Sequence, residues 1–266
     1  MAIDVSEIKR KLEALKNNKS LNSSSESKLK FWKPEGDGKI RFIVKPDNDD
    51  PVKEYNWHYP KKGASFLCNK KSYGHESCPI CDAGSFLWNS YVEGGKTNDE
   101  LKEAAKKLFA SPRYYTTVIV RGKENDGVFL YGYGKEVAQD FMTTLVNPDY
   151  DNSVLDPQKG RDFDLRITQK AGNGNNTYRS VSITASPKET PILPENSPLS
   201  LGELYEEIPD MDHLFRESDE DKMNEVLNEY LDAVMSKCGL NEIGDASSEE
   251  SEPEDALEAA MRKLGA

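Results

Sequence analysis

Apolar and polar residues alternate through the run GKIRFIVKP, with Ile40, Phe42 and Val44 on one side and Lys39, Arg41 and Lys45 on the other. That period of two marks a strand with one buried face. PVKEYNWHYP reads as a second strand. RYYTTVIVRG and GVFLYGYG flank the polar KEND and predict a hairpin, and RDFDLRITQK and TYRSVSITA predict another across the Gly/Asn-rich AGNGNN. The period changes to that of a helix in TNDELKEAAKKLF, where Asn98 is placed to cap and acids fill the first turn, and again in KEVAQDFMTTLVN. Near the C-terminus, DEDKMNEVLNEYLDAVMSKCG puts Met223, Val226, Leu227, Tyr230 and Val234 on one face and closes on a glycine stop signal. Six short strands with few helices predict a mainly β fold with α, a small barrel of the OB type carrying insertions.

The two ends of the chain follow different rules. Residues 4–18 predict a short helix capped by Asp4, with Ile8, Leu12 and Leu15 in a narrow apolar stripe among Lys9, Arg10, Lys11 and Lys16. The stripe is too thin for a core helix and suits a detachable arm. NNKSLNSSSESK follows as a polar linker. DASSEESEPED is an acidic low-complexity segment that cannot bury a core, and ALEAAMRKL beyond it reads as a short helix that orders on a partner. The expected organisation is an arm and linker over 1–30, a core over 31–239 and an acidic tail over 240–266.

Charge sharpens that division. The net charge of −12 appears to exclude a nucleic-acid partner. Residues 201–266 hold 20 acids against 5 bases, however, and residues 1–200 hold 27 against 30. A mildly basic body joined to an acidic segment is therefore the object to explain. The first 18 residues lack the apolar region of a signal peptide, and no apolar run has the length of a membrane span, so the reading is of a soluble intracellular protein.

Cysteine supplies the first chemistry. Cys68, Cys78 and Cys81 fall within 14 residues, two of them in the pair CPIC. In a reducing compartment such spacing favours a metal over disulfides. Three thiolates and one imidazole make a closed tetrahedral zinc site, structural because no position stays open for water. Spacing alone leaves His58 and His75 equal as the fourth ligand. Cys238 reads as a small apolar residue and His213 as a surface histidine. The deaminase arrangement of His-x-Glu with a later Pro-Cys-x-x-Cys does not fit, because proline sits inside the pair and Glu76 follows His75 directly. Phosphate-binding glycine loops and nucleophile elbows are absent from the sequence too, so the expectation is a protein without catalysis.

The strands carry aromatics beside cations: Arg113, Tyr114, Tyr115, Arg121 and Lys123 in one segment, and Tyr131, Tyr133 and Lys135 in the next. Arg166, Lys170, Tyr178 and Arg179 repeat the pattern in the second hairpin. Strand tyrosines are ordinary one at a time. Together, on a basic body, they suit single-stranded nucleic acid, whose bases stack on rings and whose phosphates meet Lys and Arg. Lys39, Arg41 and Lys45 join the same expected surface. A zinc-ribbon adaptor in transcription with an acidic activation tail is the alternative, separated by whether unstructured oligonucleotides bind tightly.

With these segments in view, GKIRFIVKPDND, SCPIC, VFLYGYGKEV and PDMDHLF, the chain resembles the helix-destabilising single-stranded DNA-binding proteins of T-even-type bacteriophages along nearly its whole length. The resemblance implies zinc on His58, Cys68, Cys78 and Cys81, in a subdomain of about residues 52–112. It places Arg41, Tyr114, Tyr115, Tyr131 and Tyr178 along a DNA cleft. It implies self-association through the arm, here Lys9, Arg10 and Lys11, and recruitment of replication, recombination and repair proteins by the tail. The implied setting is the cytoplasm of an infected bacterial host.

Overall fold

The computed structural model describes residues 30–48, 50–150, 153–172 and 176–237. The expected arm helix over 4–18, the acidic linker, ALEAAMRKL, Cys238 and the glycine stop after it lie outside the described residues.

Eight strands make one sheet: β1 (Lys30–Trp32), β2 (Gly38–Ile43), β3 (Lys53–His58), β4 (Phe66–Leu67), β5 (Ser111–Val120), β6 (Phe129–Tyr133), β7 (Arg161–Ala171) and β8 (Thr177–Glu189). The main path runs β1-β6-β5-β2-β7-β8. Both expected hairpins form as antiparallel ladders, β5 with β6 and β7 with β8. β5 is the spine: its C-terminal half pairs with β2 and its N-terminal half with β3, while β6 covers its other edge. β1 enters parallel to β6, opposing Trp32 to Tyr131. A three-residue strand has no period to read, so this pairing was not legible in the sequence.

The helices are α1 (Asn69–Tyr73), α2 (Pro79–Glu93), α3 (Asp99–Leu108), α4 (Lys135–Leu145), α5 (Leu201–Glu207), α6 (Met211–Leu214) and α7 (Glu220–Lys237). Asn98 caps α3 as predicted, accepting from the amides of Glu100 and Leu101. The CPIC pair lies at the start of α2, a helix of 15 residues. Cys78 is its N-cap residue and Pro79 its first helical residue, where a missing N–H costs nothing.

Two of the four core clusters among the described residues are the largest. Phe42, Phe141 and Phe163 centre the first, between the sheet and α4. The second joins α2 and α3 to α7 through Ile80, Leu87, Leu108, Met223 and Leu227. The buried stripe of α7 is Met223, Leu227, Leu231 and Met235, four residues apart, with Tyr230 and Val234 at its margin. Each fully buried leucine there contributes about 1.5–3 kcal/mol relative to exposure.

One predicted face is corrected. Arg41 was assigned to the polar side of β2, yet it is 0% exposed. β2 is covered on both faces, because residues far along the chain close over the second. Nη2 of Arg41 donates to the Asp156 carbonyl at 2.6 Å, and Nη1 lies 3.7 Å from Asp162 Oδ1. Gly160 makes the room: a Cβ there would run into the Arg41 guanidinium and the Val154 and Asp156 carbonyls.

Candidate metal centre and nucleic-acid interface

His58 ends β3, Cys68 caps α1, and Cys78 and Cys81 open α2. These local starts bring four buried donors together, with all ligand atoms within 4.8 Å of one another. Nε2 of His58 lies 3.4 Å from Cys78 Sγ and 3.6 Å from Cys81 Sγ, and Cys68 Sγ lies 3.4 Å from Cys81 Sγ. A tetrahedral zinc with bonds of about 2.3 Å to sulfur and about 2.0–2.1 Å to nitrogen has edges of roughly 3.5–3.8 Å. These three separations lie close to such edges. Nδ1 of His58 is 2.7 Å from the Leu108 carbonyl, so the ring donates there and turns Nε2 toward the sulfurs. His75 instead meets Glu217 at 3.2 Å on the surface and stays outside the cluster.

Hydrogen bonding from Cys78 and then Cys81, helped by the Lys71 and Lys70 amides, holds Cys68 down to about 3. Cys68 and Cys78 push Cys81 far up. A cation bound between them would favour the thiolate form of all three.

Beside the first core cluster, a groove of about 460 Å³ opens where the two ends of the strand path face each other. Phe31, Trp32, Lys33 and Pro34 come from the β1 end and Arg179 and Val181 from β8. Arg113, Tyr131, Gly132 and Tyr133 form its floor, with Gly134 and Val137 at the start of α4. Trp32 meets Tyr131 edge-on at 4.9 Å. Burial raises the Tyr131 phenol to about 12, against the pull of Arg179 and Arg113 beside it. The groove thus sets Lys33, Arg113 and Arg179 beside the exposed Phe31 and the half-buried Trp32, over Tyr131 and Tyr133, which are buried. At its margin Arg179 donates to the Pro34 carbonyl, and Tyr178 is 51% exposed.

The predicted DNA-binding residues therefore separate. Arg113, Tyr131, Tyr133 and Arg179 share the groove, and Tyr114 stacks against Tyr133 at 6.3 Å. Lys135 and Arg166 are exposed, and Lys170 pairs with Glu136 at 3.1 Å. Tyr115 lies against Phe215 at 4.4 Å. Arg121 is committed to Asp162 and to the Pro191 and Ile192 carbonyls. Lys39 pairs with Asp164 at 3.3 Å, and Lys45 sits half-buried after β2. None of Lys39, Arg41, Lys45 or Arg121 lines the groove. Phe31, Trp32 and Lys33 were missed; their only signal was an aromatic pair between lysines in KFWK.

The molecule is a mixed α/β protein built on one large sheet, with an aromatic, cationic groove and a Cys3His cluster able to hold a metal. A family model described as gp32 DNA binding protein like matches residues 34–235. The chain belongs to that DNA-binding family, which bears out the phage-type resemblance read from the sequence. No curated protein matches the chain. Among the described residues no helix is long and apolar enough to cross a membrane.

Proposed function

We propose that this protein coats single-stranded DNA without sequence preference and without catalysing a reaction. The observation that carries the reading is the groove, whose lining brings Arg113 and Arg179 together with Trp32 and with Phe31, 63% exposed. Single strands expose both ring faces and phosphates, and this surface offers partners for each. Binding only the unpaired form shifts hairpins toward open strands by mass action.

In this reading residues 31–239 form an OB-type barrel with a zinc subdomain of about residues 52–112. Zinc on His58, Cys68, Cys78 and Cys81 contributes to folding by tying the end of β3 to the starts of α1 and α2. Residues 1–30, with Lys9, Arg10 and Lys11, dock on a neighbouring copy, so that binding along a strand is cooperative. Residues 240–266 recruit proteins of phage DNA replication, recombination and repair in the infected bacterial cytoplasm.

The test is a salt-titrated isotherm on oligo(dT), read by tryptophan fluorescence. Arg113→Ala and Arg179→Ala are each expected to lower the salt slope by about 0.7, the value for one phosphate contact on a single strand. Tight binding to duplex DNA but not to oligo(dT), or no binding to either, would overturn the proposal and return the protein to an adaptor role.

A further inference from the structure

A separate cleft of about 530 Å³ opens between α3 and α7, at the end of α7. Ala104, Tyr230, Ala233 and Val234, with Pro60, give it an apolar lining. The alanines leave the space, since their side chains stop at Cβ. Tyr230 is fixed in the wall, its hydroxyl donating to the Ala104 carbonyl at 2.9 Å. The stripe of α7 that packs inward is Met223, Leu227, Leu231 and Met235. Tyr230, Ala233 and Val234 make a second apolar edge on the same helix, and Ala233 and half of Val234 stay open.

The chain itself arrives at this cleft. Lys237, the last residue of α7, lines it, and residues 238–266 continue from that lip. The first of them read CGLNEIG. When a glycine follows a helix cap, the residue after the glycine turns back onto the residues three and four from the helix end. With Cys238 as the cap and Gly239 after it, the returning residue is Leu240 and its targets are Met235 and Val234. Met235 is already buried, whereas Val234 faces the cleft. Ile243 is the next apolar side chain, and from Asp245 to Asp255 no large apolar residue follows.

Charge agrees with this match. Lys61, Lys62, Lys107 and Lys237 stand around the apolar lining, with Glu100 and Glu103. Lys61 pairs with Glu229, and Glu103 with Lys106. Lys62 and Lys107 are exposed and have no carboxylate partner among the described residues. Glu242 lies between Leu240 and Ile243, and Asp245 follows. An apolar floor ringed by spare lysines suits an apolar segment that carries acids.

We infer that the cleft is the docking site of residues 240–243 of the same chain. Leu240 and Ile243 fill the apolar lining, and Glu242 meets Lys62 and Lys107. A segment tethered at the lip has a far higher effective concentration there than the same segment of a second copy. The free acidic tail then starts at Asp245 and leaves the molecule from the α3–α7 face.

The test digests the full chain with a Glu-specific protease and follows each cut by mass. Cleavage after Glu242 is expected to be about tenfold slower than after Glu249 or Glu250, because only the undocked form is cut. Ala233→Trp, at an exposed position of α7, fills the cleft and abolishes that protection. Melts at about 1 M salt, where screening leaves charge out, separate packing from electrostatics. Deleting residues 245–266 keeps the full-chain Tm, and deleting 240–266 lowers it by about 5 °C. In the Ala233→Trp background the two deletions melt alike. Equal cutting after Glu242 and Glu249, with both deletions melting like the full chain, overturns the proposal. Protection that rises with protein concentration also overturns it and gives the cleft to a second copy. A Leu240→Asp/Ile243→Asp variant that melts lower by the same amount with and without Ala233→Trp overturns it too, since Leu240 then acts only in ending α7.

Discussion

Replacing Arg41 sets two readings of one residue against each other. A phosphate contact would make Arg41→Ala lower the salt slope of DNA binding by about 0.7 and leave stability alone. The structure argues the reverse. The guanidinium is fully buried, and burial lowers its pKa to about 10, so it is still charged at neutral pH. Truncation removes the 2.6 Å bond to Asp156 and the ion pair to Asp162 and leaves a cavity in β2's covered face. Asp162 is not orphaned, because Arg121 still donates to it at 2.6 and 2.9 Å. The loss is thus one charge-assisted hydrogen bond, about 1.5–3 kcal/mol, plus the missing stem. We expect about 3–4 kcal/mol in all, and at about 2–4 °C per kcal/mol a fall in Tm of roughly 10 °C. Asp162→Ala should cost more, within the about 3–5 kcal/mol for breaking a buried pair, since buried Arg41 then loses its ion pair and faces Arg121, which keeps only Glu124 at 3.8 Å. Thermal melts give the stability, and oligo(dT) titrations give the slope. An unchanged Tm together with a slope lowered by about 0.7 would refute the argument and return Arg41 to the DNA surface.

Three further outcomes are expected. His58→Ala and Cys78→Ser lose one zinc per chain by metal analysis and melt lower, whereas His75→Ala keeps the metal because it meets only Glu217; a metal-free His75→Ala with a zinc-loaded His58→Ala reverses the ligand set. Tyr178→Ala weakens oligo(dT) binding by about 1–3 kcal/mol with the fold intact, while Tyr131→Ala, cut from a core, lowers Tm as well; equal melting of the two variants contradicts the burial of Tyr131. Removing residues 240–266 raises affinity for single strands, most at low salt, because a tethered acidic segment competes for cationic surface and screening is weakest there; unaltered low-salt affinity limits the tail to recruiting partners.

What the sequence determined by itself was local. Alternation located both hairpins, and a cap residue located α3, because period and capping depend on residues within a few positions of one another. The cluster able to hold a metal was legible for the same reason, down to one ambiguity. Spacing could not choose between His58 and His75, since that choice belongs to the Leu108 carbonyl, 50 residues on, which orients the His58 ring. Arg41 shows the limit most clearly. Its alternation with Ile40 and Phe42 says that it points away from them, but not what lies on that side. Asp156, Asp162 and Thr190 arrive there from more than a hundred residues along the chain and turn an apparent solvent face into an interior one. The groove was hidden likewise. It exists because the two ends of the strand path come to face each other, and no window of sequence contains both Trp32 and Arg179. Only tertiary structure sorts cations into those that hold the fold and those left free for a ligand, because pairing depends on distance in space.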